Sequence, residues 1–458
     1  MEEKEYLDIE AIEAMLQSQD KPALRQALLR LEGVDIAELL SQVEKDHLVL
    51  LYRLLPKELA AEAFAEMDAD LQEQLILSFT DSELQSVLQE LYLDDTVDMI
   101  EEMPAVVVKR ILKNSTPENR RMINELLRYD PDSAGGIMTT EYMVLKSEMT
   151  VEQAFAVIRR LAYDKESVYT CYVTDASRHL IGVVDVKTLL LNKYETKIAD
   201  CLNPDVIFAY TETPAEEVAR QIEKYNFIAL PVVDKEQRLV GIVTFDDAMD
   251  VIHEEAEEDF AKMAAVTPSD LPYLRTPAHT LWKNRFPWLL LMMLTSTFTG
   301  MIISSFETAL AASVALTAFI PMLMGTGGNS GAQSSVTVIR GLSLGELYPR
   351  DILRIVIKEF FVSLLCGVTL GLATFAKMMT LDRWLMGSDV ITAQVSLVVG
   401  LALLCTVVCA KLIGGILPVL AVKCKLDPAV MASPFITTVV DAVSLLLYFC
   451  IAQMVLGI

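Results

Sequence analysis

Asp441 stands near the middle of an apolar run, PFITTVVDAVSLLLYF. A carboxylate at the centre of a membrane segment costs about 2.5 to 3.5 kcal/mol on insertion scales, so it is expected to face an ion or proton path, or to pair with a base on a neighbouring segment. Lys411 is the base nearest to that depth, toward one end of its own run, and both readings stay open. Upstream, PMLMGTGGNSGAQSSVTVIRGL sets Gly325, Gly327, Gly328 and Gly331 around Asn329 and Gln333, which are four apart and so share a helix face. Glycines there permit close helix approach and turn backbone carbonyls toward a water-lined path. The two amides suit either a pore lining or hydrogen bonds between helices. With the hydroxyls of Thr437 and Thr438, the donors around Asp441 are all oxygen, without a His or Cys cluster. That set disfavours zinc and copper and favours a hard cation. Mg2+ keeps several waters and binds through one or two carboxylates, so two Asp441 side chains near a homodimer axis would suit it.

A second chemical feature is the segment TFDDAMDVIHEEAEEDF, Thr244 to Phe260. It carries Asp246, Asp247, Asp250, Glu254, Glu255, Glu257, Glu258 and Asp259 and no Lys or Arg. The acids fall on several faces of one helix with few bases at helical spacing, so the helix is expected to repel itself and to attract cations, or to serve as a solvated linker.

The elements that must carry these groups divide the chain in two. From Phe286 onward there are 8 acids and 9 Lys or Arg, which leaves 55 acids against 29 bases in the part before it. An acidic face beside an anionic membrane surface argues against nucleic acid and for cations as partners. With 53% hydrophobic residues and a mean hydropathy of +0.38 the chain is too apolar for an ordinary soluble protein. Five apolar segments are expected to span a membrane and to contact its lipid: Phe286 to Phe306, Thr308 to Ile339, Phe360 to Ala376, Val390 to Ala410 and Ala429 to Ile458. Pro268, Pro272 and Pro277 end the acidic helix before Trp282 and Trp288, which suit an interfacial belt. Lys283, Arg285, Arg340, Arg350, Arg354, Lys358, Lys423 and Lys425 fall on one side and only Lys377 and Arg383 in the loop on the other. The positive-inside rule then puts the N-terminal half in the cytosol and Ile458 outside. The start shows no basic stretch followed by a short apolar run and a small-residue cleavage site, so the first half is expected to remain in the cytosol, and the seven cysteines read as reduced packing residues.

Residues 1 to 132 read as helices. Leu55-Pro56 and Met103-Pro104 mark two matching helix starts, which suggests a long repeat of stacked helix pairs in a solenoid. Residues 133–200 and 201–252 repeat one pattern, each a Thr-led helix followed by strand, polar turn, strand and helix, with Gly182 and Gly241 in register. This pair resembles tandem CBS domains, the adenosine-ligand modules. Residues 253–278 are the acidic connecting helix and linker, and 279–458 the membrane domain.

That order, with GGNSGAQSS and PFITTVVDA, resembles the MgtE family of magnesium channels and transporters. The resemblance implies a multi-domain fold: an all-α superhelical N-domain, a tandem α/β CBS pair, an acidic plug helix and a five-helix transmembrane domain. It implies a homodimer in a bacterial cytoplasmic membrane, without enzymatic activity, in which Asp441 holds a hydrated Mg2+ and cytosolic Mg2+ closes the pore. By the same resemblance the regulatory acids are Asp94, Asp95 and Asp98, then Asp247 and Asp250, then Glu254, Glu255, Glu258 and Asp259 in the plug helix, and Asp427 in the last cytosolic loop. Some members bind ATP between the CBS units, for which Tyr169 and Phe227 would stack the base and Thr244 and Asp247 hold the ribose. The first unit departs from that ribose motif, reading Gly182-Val183-Val184-Asp185-Val186-Lys187-Thr188. Rival readings are a carrier for Co2+ or Mn2+ and a membrane-anchored nucleotide sensor that transports nothing.

Overall fold

The computed structural model describes residues 12–457 apart from 13, 14, 17, 19, 270–272, 275, 308–313, 386, 388, 389 and 432. Pro272 and the first six residues of the expected second span lie outside the described residues. Two compact units result, divided between His253 and Glu254.

Among the described residues the first unit opens on a run of helices: α1 (Lys21–Leu28), α2 (Gly33–Gln42), α3 (Lys45–Tyr52), α4 (Lys57–Ala65), α5 (Ala69–Ser78), α6 (Asp81–Glu90), α7 (Leu93–Glu102), α8 (Ala105–Asn114) and α9 (Pro117–Leu126). Pro56 and Pro104 do stand at helix starts, as N-caps of α4 and α8. The underlying period is shorter than the interval between those two prolines. The N-cap residues are Asp20, Glu32, Glu44, Pro56, Asp68, Thr80, Tyr92, Pro104 and Thr116, at every twelfth position. Each repeat is therefore one short helix and a sharp turn, with alternate helices such as α2 and α4, or α4 and α6, packed on each other. Thr80 closes a capping box with Glu83 at the start of α6. Tyr52, Phe64 and Phe79 form an aromatic knot with ring centroids 5.3 to 6.3 Å apart.

Two three-stranded sheets follow among the described residues. β1 (Tyr142–Lys146) is parallel to β2 (Ser167–Thr174), which is antiparallel to β3 (Leu180–Asp185), and α10 (Val151–Leu161) crosses between β1 and β2. After α11 (Val186–Leu191) and α12 (Ile198–Cys201) the pattern repeats: β4 (Ala209–Tyr210), α13 (Ala215–Tyr225), β5 (Ala229–Val233), β6 (Leu239–Thr244) and α14 (Phe245–Met263). Gly182 pairs with Val173 and Gly241 with Val232, the same place in each sheet. The segments leading into the repeats are exchanged: Thr139 bridges Ile242 of the second sheet, and Asn203 bridges Val183 of the first. Each half is thus completed by chain from the other. One apolar core runs from the helical repeat into the second sheet, joining Leu93, Val97 and Ile100 to Leu230, Val243 and Ala248.

The second unit holds the rest of α14 and then the long helices α15 (Ala278–Ser305), α16 (Ile320–Ser343), α17 (Ile352–Lys377), α18 (Ala393–Lys423) and α19 (Ser433–Leu456). Among the described residues, four helices are long and apolar enough to cross a membrane, not the expected five. The one that falls short is α16, whose 24 residues suffice in length but whose Gly, Ser, Thr, Asn and Gln lower its hydropathy. Several segments also outrun their expected limits. α17 starts at Ile352 rather than Phe360 and takes Lys358 and Glu359 into the helix, and α18 runs through Lys411 to Lys423. α16 lies against α18 and α19. At its crossing with α18 a Cβ on Gly414 would overlap the Gly331 carbonyl oxygen, so the two backbones touch.

Candidate functional site

The acids of the first unit converge from distant parts of the chain. Asp94 and Asp95 sit in the first turn of α7 and Asp98 one turn on. Asp246 and Asp247 open α14, and Asp250 follows one turn later. Glu66 caps the C-terminal end of α4, and Glu166 immediately precedes β2. Burial, with Asp95 next in size, raises the Asp94 carboxyl to about 6. Burial followed by Asp247 and Glu66 raises Asp95 to about 6. Burial also lifts Asp247 to about 6, against a hydrogen bond from Thr244 that opposes the rise. Glu166 reaches about 8 through burial and then Asp94, Asp246 and Asp247. Asp98 rises through desolvation and then Asp94, although its side chain reaches solvent, which blunts the shift. Glu66 and Asp250 rise too, first by burial and then by Asp250 and Asp246 respectively.

These carboxylates raise one another, and two buried oxygens among them, Asp94 Oδ1 and Glu166 Oε2, have no hydrogen-bond partner. Such a cluster has a surplus of negative charge and oxygen donors, the requirement of a hard divalent cation. Among the described residues no three acids, His or Cys stand close enough to hold a metal directly, so the cluster as it stands is open. Glu66 and Glu166 had no place among the acids picked from the sequence; the structure adds both.

In the second unit one base answers part of the acidic helix. Lys262, just beyond the eight-acid stretch, lies 2.7 Å from Glu258 and 2.6 Å from Asp427. Burial opposes the charge on Lys262, but hydrogen bonds to Asp427 and Glu258 outweigh it and raise its pKa. Ser343 Oγ donates to Asp259 Oδ2 at 3.3 Å, joining the helix to the end of α16. Glu254 and Glu255 are also engaged by neighbours.

Asp441 lies in α19, half-buried, one turn beyond Thr437 and Thr438. Lys411 does not pair with it: the ammonium donates to Ser334 Oγ at 3.5 Å instead. Thr438 meets Thr295 of α15, hydroxyl to hydroxyl, at 3.5 Å. Thr437 packs against Gly328 of α16, where an added Cβ would come within 3.0 Å of its methyl. Asn329 and Gln333 are on the exposed face of α16, while Gly327, Ser330, Gly331 and Ser334 are on its buried face.

Of the nucleotide candidates, Tyr169 is exposed on β2, and Phe227 stacks on Tyr225 at 5.4 Å. Thr244 Oγ1 donates to Asp247 Oδ2 at 2.5 Å, so the pair expected to grip a ribose grip each other across the first turn of α14.

Comparison with known proteins bears on all of these groups. A family model described as a divalent cation transporter matches residues 320–451, one described as the MgtE intracellular N domain matches 31–132, and the CBS domain matches 134–194 and 198–254. The chain is 37% identical to a magnesium transporter MgtE of Thermus thermophilus over 97% of its own length and 98% of that protein's. It is 33% identical to one of Bacillus subtilis over 93% of each. A crystal structure of the cytosolic domain of the Mg2+ channel MgtE in complex with ATP, 37% identical, covers 53% of this chain and 100% of that one at a TM-score of 0.51.

Proposed function

The chain belongs to the MgtE family, and from that premise we propose that it is a homodimeric Mg2+ channel or transporter of a bacterial cytoplasmic membrane, closed by Mg2+ on the cytosolic side. The observation that carries the reading is Asp441: a carboxylate within a membrane helix whose nearest candidate base is turned to another partner. Such a group is costly unless it meets water or an ion, and it supplies charge for a hydrated divalent cation. Asn329 and Gln333 support the dimer. A polar stripe on the outer face of α16 is unfavourable against lipid and favourable against a water-filled path shared with a second copy. α16 counts as the fifth span on the same ground, since a helix facing water and protein can be less apolar than one facing lipid. Five spans and the basic loops orient the N-terminus in the cytosol and Ile458 outside.

The cytosolic unit is the sensor in this reading. Mg2+ among Asp94, Asp95, Asp98, Asp247, Asp250 and the added Glu66 and Glu166 would replace mutual repulsion by bridging and favour the compact form. Along the plug helix, Glu254, Glu255, Glu258 and Asp259 with Asp427 would act likewise. ATP is a second ligand of the CBS pair, with Tyr169, Phe227, Thr244 and Asp247 as its contacts, as the ATP complex of the relative suggests. Asp247 would then serve metal or nucleotide by releasing Thr244.

The test is flux. In liposomes under a Mg2+ gradient, Asp441→Asn should assemble as the wild type does and lose at least nine-tenths of its Mg2+ flux. Cobalt hexaammine, a mimic of hydrated Mg2+, should compete with the wild type. Wild-type flux in Asp441→Asn would sink the assignment, and indifference to cobalt hexaammine with strong competition by Co2+ or Mn2+ would move it to another ion.

A further inference from the structure

Lys411 is 5% exposed in α18, and neither Asp441 nor any acid within ion-pair distance accounts for it among the described residues. It donates to Ser334 Oγ of α16 at 3.5 Å, and Ser334, itself 2% exposed, donates to Glu359 Oε2 of α17 at 2.5 Å. Three helices thus contribute one polar group each to a continuous chain, ammonium to hydroxyl to carboxylate. The packing is built for it. Gly414 lets α16 touch α18 one turn from Lys411, and Gly415 makes room for Glu359, whose Cγ would lie 3.2 Å from a Cβ at that position.

The network shares a depth with Asp441. Ser334 lies nine residues before the end of α16, Glu359 seven after the start of α17, Lys411 twelve before the end of α18, and Asp441 eight after the start of α19. At 1.5 Å per residue these are roughly 10 to 18 Å inside four helix ends that two short loops join in pairs. An ammonium in that layer repels a divalent cation at Asp441 twice as strongly as it would repel a monovalent one. Paired through Ser334 with Glu359, it adds no net charge.

We propose that Glu359 is a positioning residue for permeation: through Ser334 it holds and neutralises Lys411, leaving Asp441 as the uncompensated charge that the passing Mg2+ meets. This rests on the reading that ions pass Asp441. The competing role is a mechanical brace between α16, α17 and α18, and charge arithmetic separates the two. Glu359→Gln keeps shape and removes the counter-charge. Lys411→Met removes the ammonium. The double variant is neutral again but has lost the hydrogen-bonded chain.

The full chain is reconstituted in liposomes, and Mg2+ flux is measured against Mg2+ concentration beside an Asp441→Asn control. Glu359→Gln should raise the half-saturating Mg2+ concentration roughly tenfold, a size set by charge-charge interaction across about one helix diameter. Lys411→Met should not raise it, and the double variant should return to within about threefold of wild type. A double variant as impaired as Glu359→Gln, or an unchanged half-saturation in Glu359→Gln, overturns the proposal in favour of a brace. Should Glu359→Gln fail to assemble, Lys411→Met decides: a half-saturation no higher than wild type supports neutralisation, and a higher one overturns it. An Asp441→Asn control that conducts like wild type would instead remove the underlying reading.

Discussion

Asp94 is the residue at which burial and charge conflict most directly. Its carboxyl moves from 3.8 to about 6 even though the Thr139 hydroxyl and the backbone amides of Asp94 and Asp95 favour its charged form. Such a rise corresponds to about 3 kcal/mol of destabilisation of the charged folded state near neutral pH. Asp94→Asn removes that charge at nearly constant shape. In the absence of Mg2+ the variant should melt higher than wild type, by several degrees and with about 3 kcal/mol as the upper limit. With Mg2+ in excess the order should reverse or close if, as proposed, Asp94 is a donor to the ion. Differential scanning calorimetry of the full chain in detergent, with and without Mg2+, reads both effects; a variant less stable than wild type in the absence of Mg2+ would show that the cluster is not under electrostatic strain. Glu166→Gln should act in the same direction, since burial and the neighbouring acids raise Glu166 as well.

At the scale of elements, the second half of α14 is the one whose role is most open to test. Lys262 bridges Glu258 to Asp427, and Asp259 meets Ser343, so the helix already touches the membrane helices through its own side chains. Replacing Glu254, Glu255, Glu258 and Asp259 together by Gln removes the sites where Mg2+ could reinforce those ties. Open probability in excised patches should then stay high at internal Mg2+ concentrations that close the wild type, with single-channel conduction unchanged. Closure over the wild-type range would make the helix a linker. The same helix marks where the sequence stopped being legible. Its acids are plain in the sequence, but Lys262 lies just beyond the acidic stretch and its second partner, Asp427, is far away in the chain, so the tie between them is not legible. The helical repeat was half legible for a related reason. Caps recur at every twelfth position, yet Asp, Glu, Pro, Thr and Tyr all fill it, and only the two prolines, four repeats apart, stood out. Periodicity did find the twin sheets, whose Gly182 and Gly241 fall at equal register. It could not find Glu66 and Glu166, which meet the acids of α7 and α14 only through tertiary packing. Lack of charge marks α16 as a span in the sequence, while its small and polar residues answer to helix contact and to the exposed amide face.

For the whole molecule, the proposed Mg2+ role of the acid cluster would tie its response to Mg2+ to its response to protons. Asp94, Asp95 and Asp247 have folded-state pKa values of about 6, and Glu166 about 8, all above their ordinary values. The sign follows from linkage. A carboxyl whose pKa is raised by folding binds more protons when folded, so its charged form weakens the folded state fully above the raised pKa. That penalty shrinks as pH falls through the raised value and vanishes below the unfolded one. Without Mg2+, the cytosolic unit should therefore become more stable as pH falls from 8 toward 5. On the proposed reading Mg2+ would bind the deprotonated acids and relieve the same repulsion, gaining most where protons have left. Protons and Mg2+ would then compete for the cluster, each favouring its compact form. Measured from the Mg2+-free baseline at each pH, the Mg2+ midpoint for further protection of residues around 245 to 266 from protease in the full chain should thus be lower at pH 8 than at pH 6. At pH 6 the Mg2+-free protein should already be partly protected. A midpoint that does not move with pH, or one that moves up between pH 6 and pH 8, would mean that the buried carboxylates of α7 and α14 are not the groups through which the cytosolic half senses the ion.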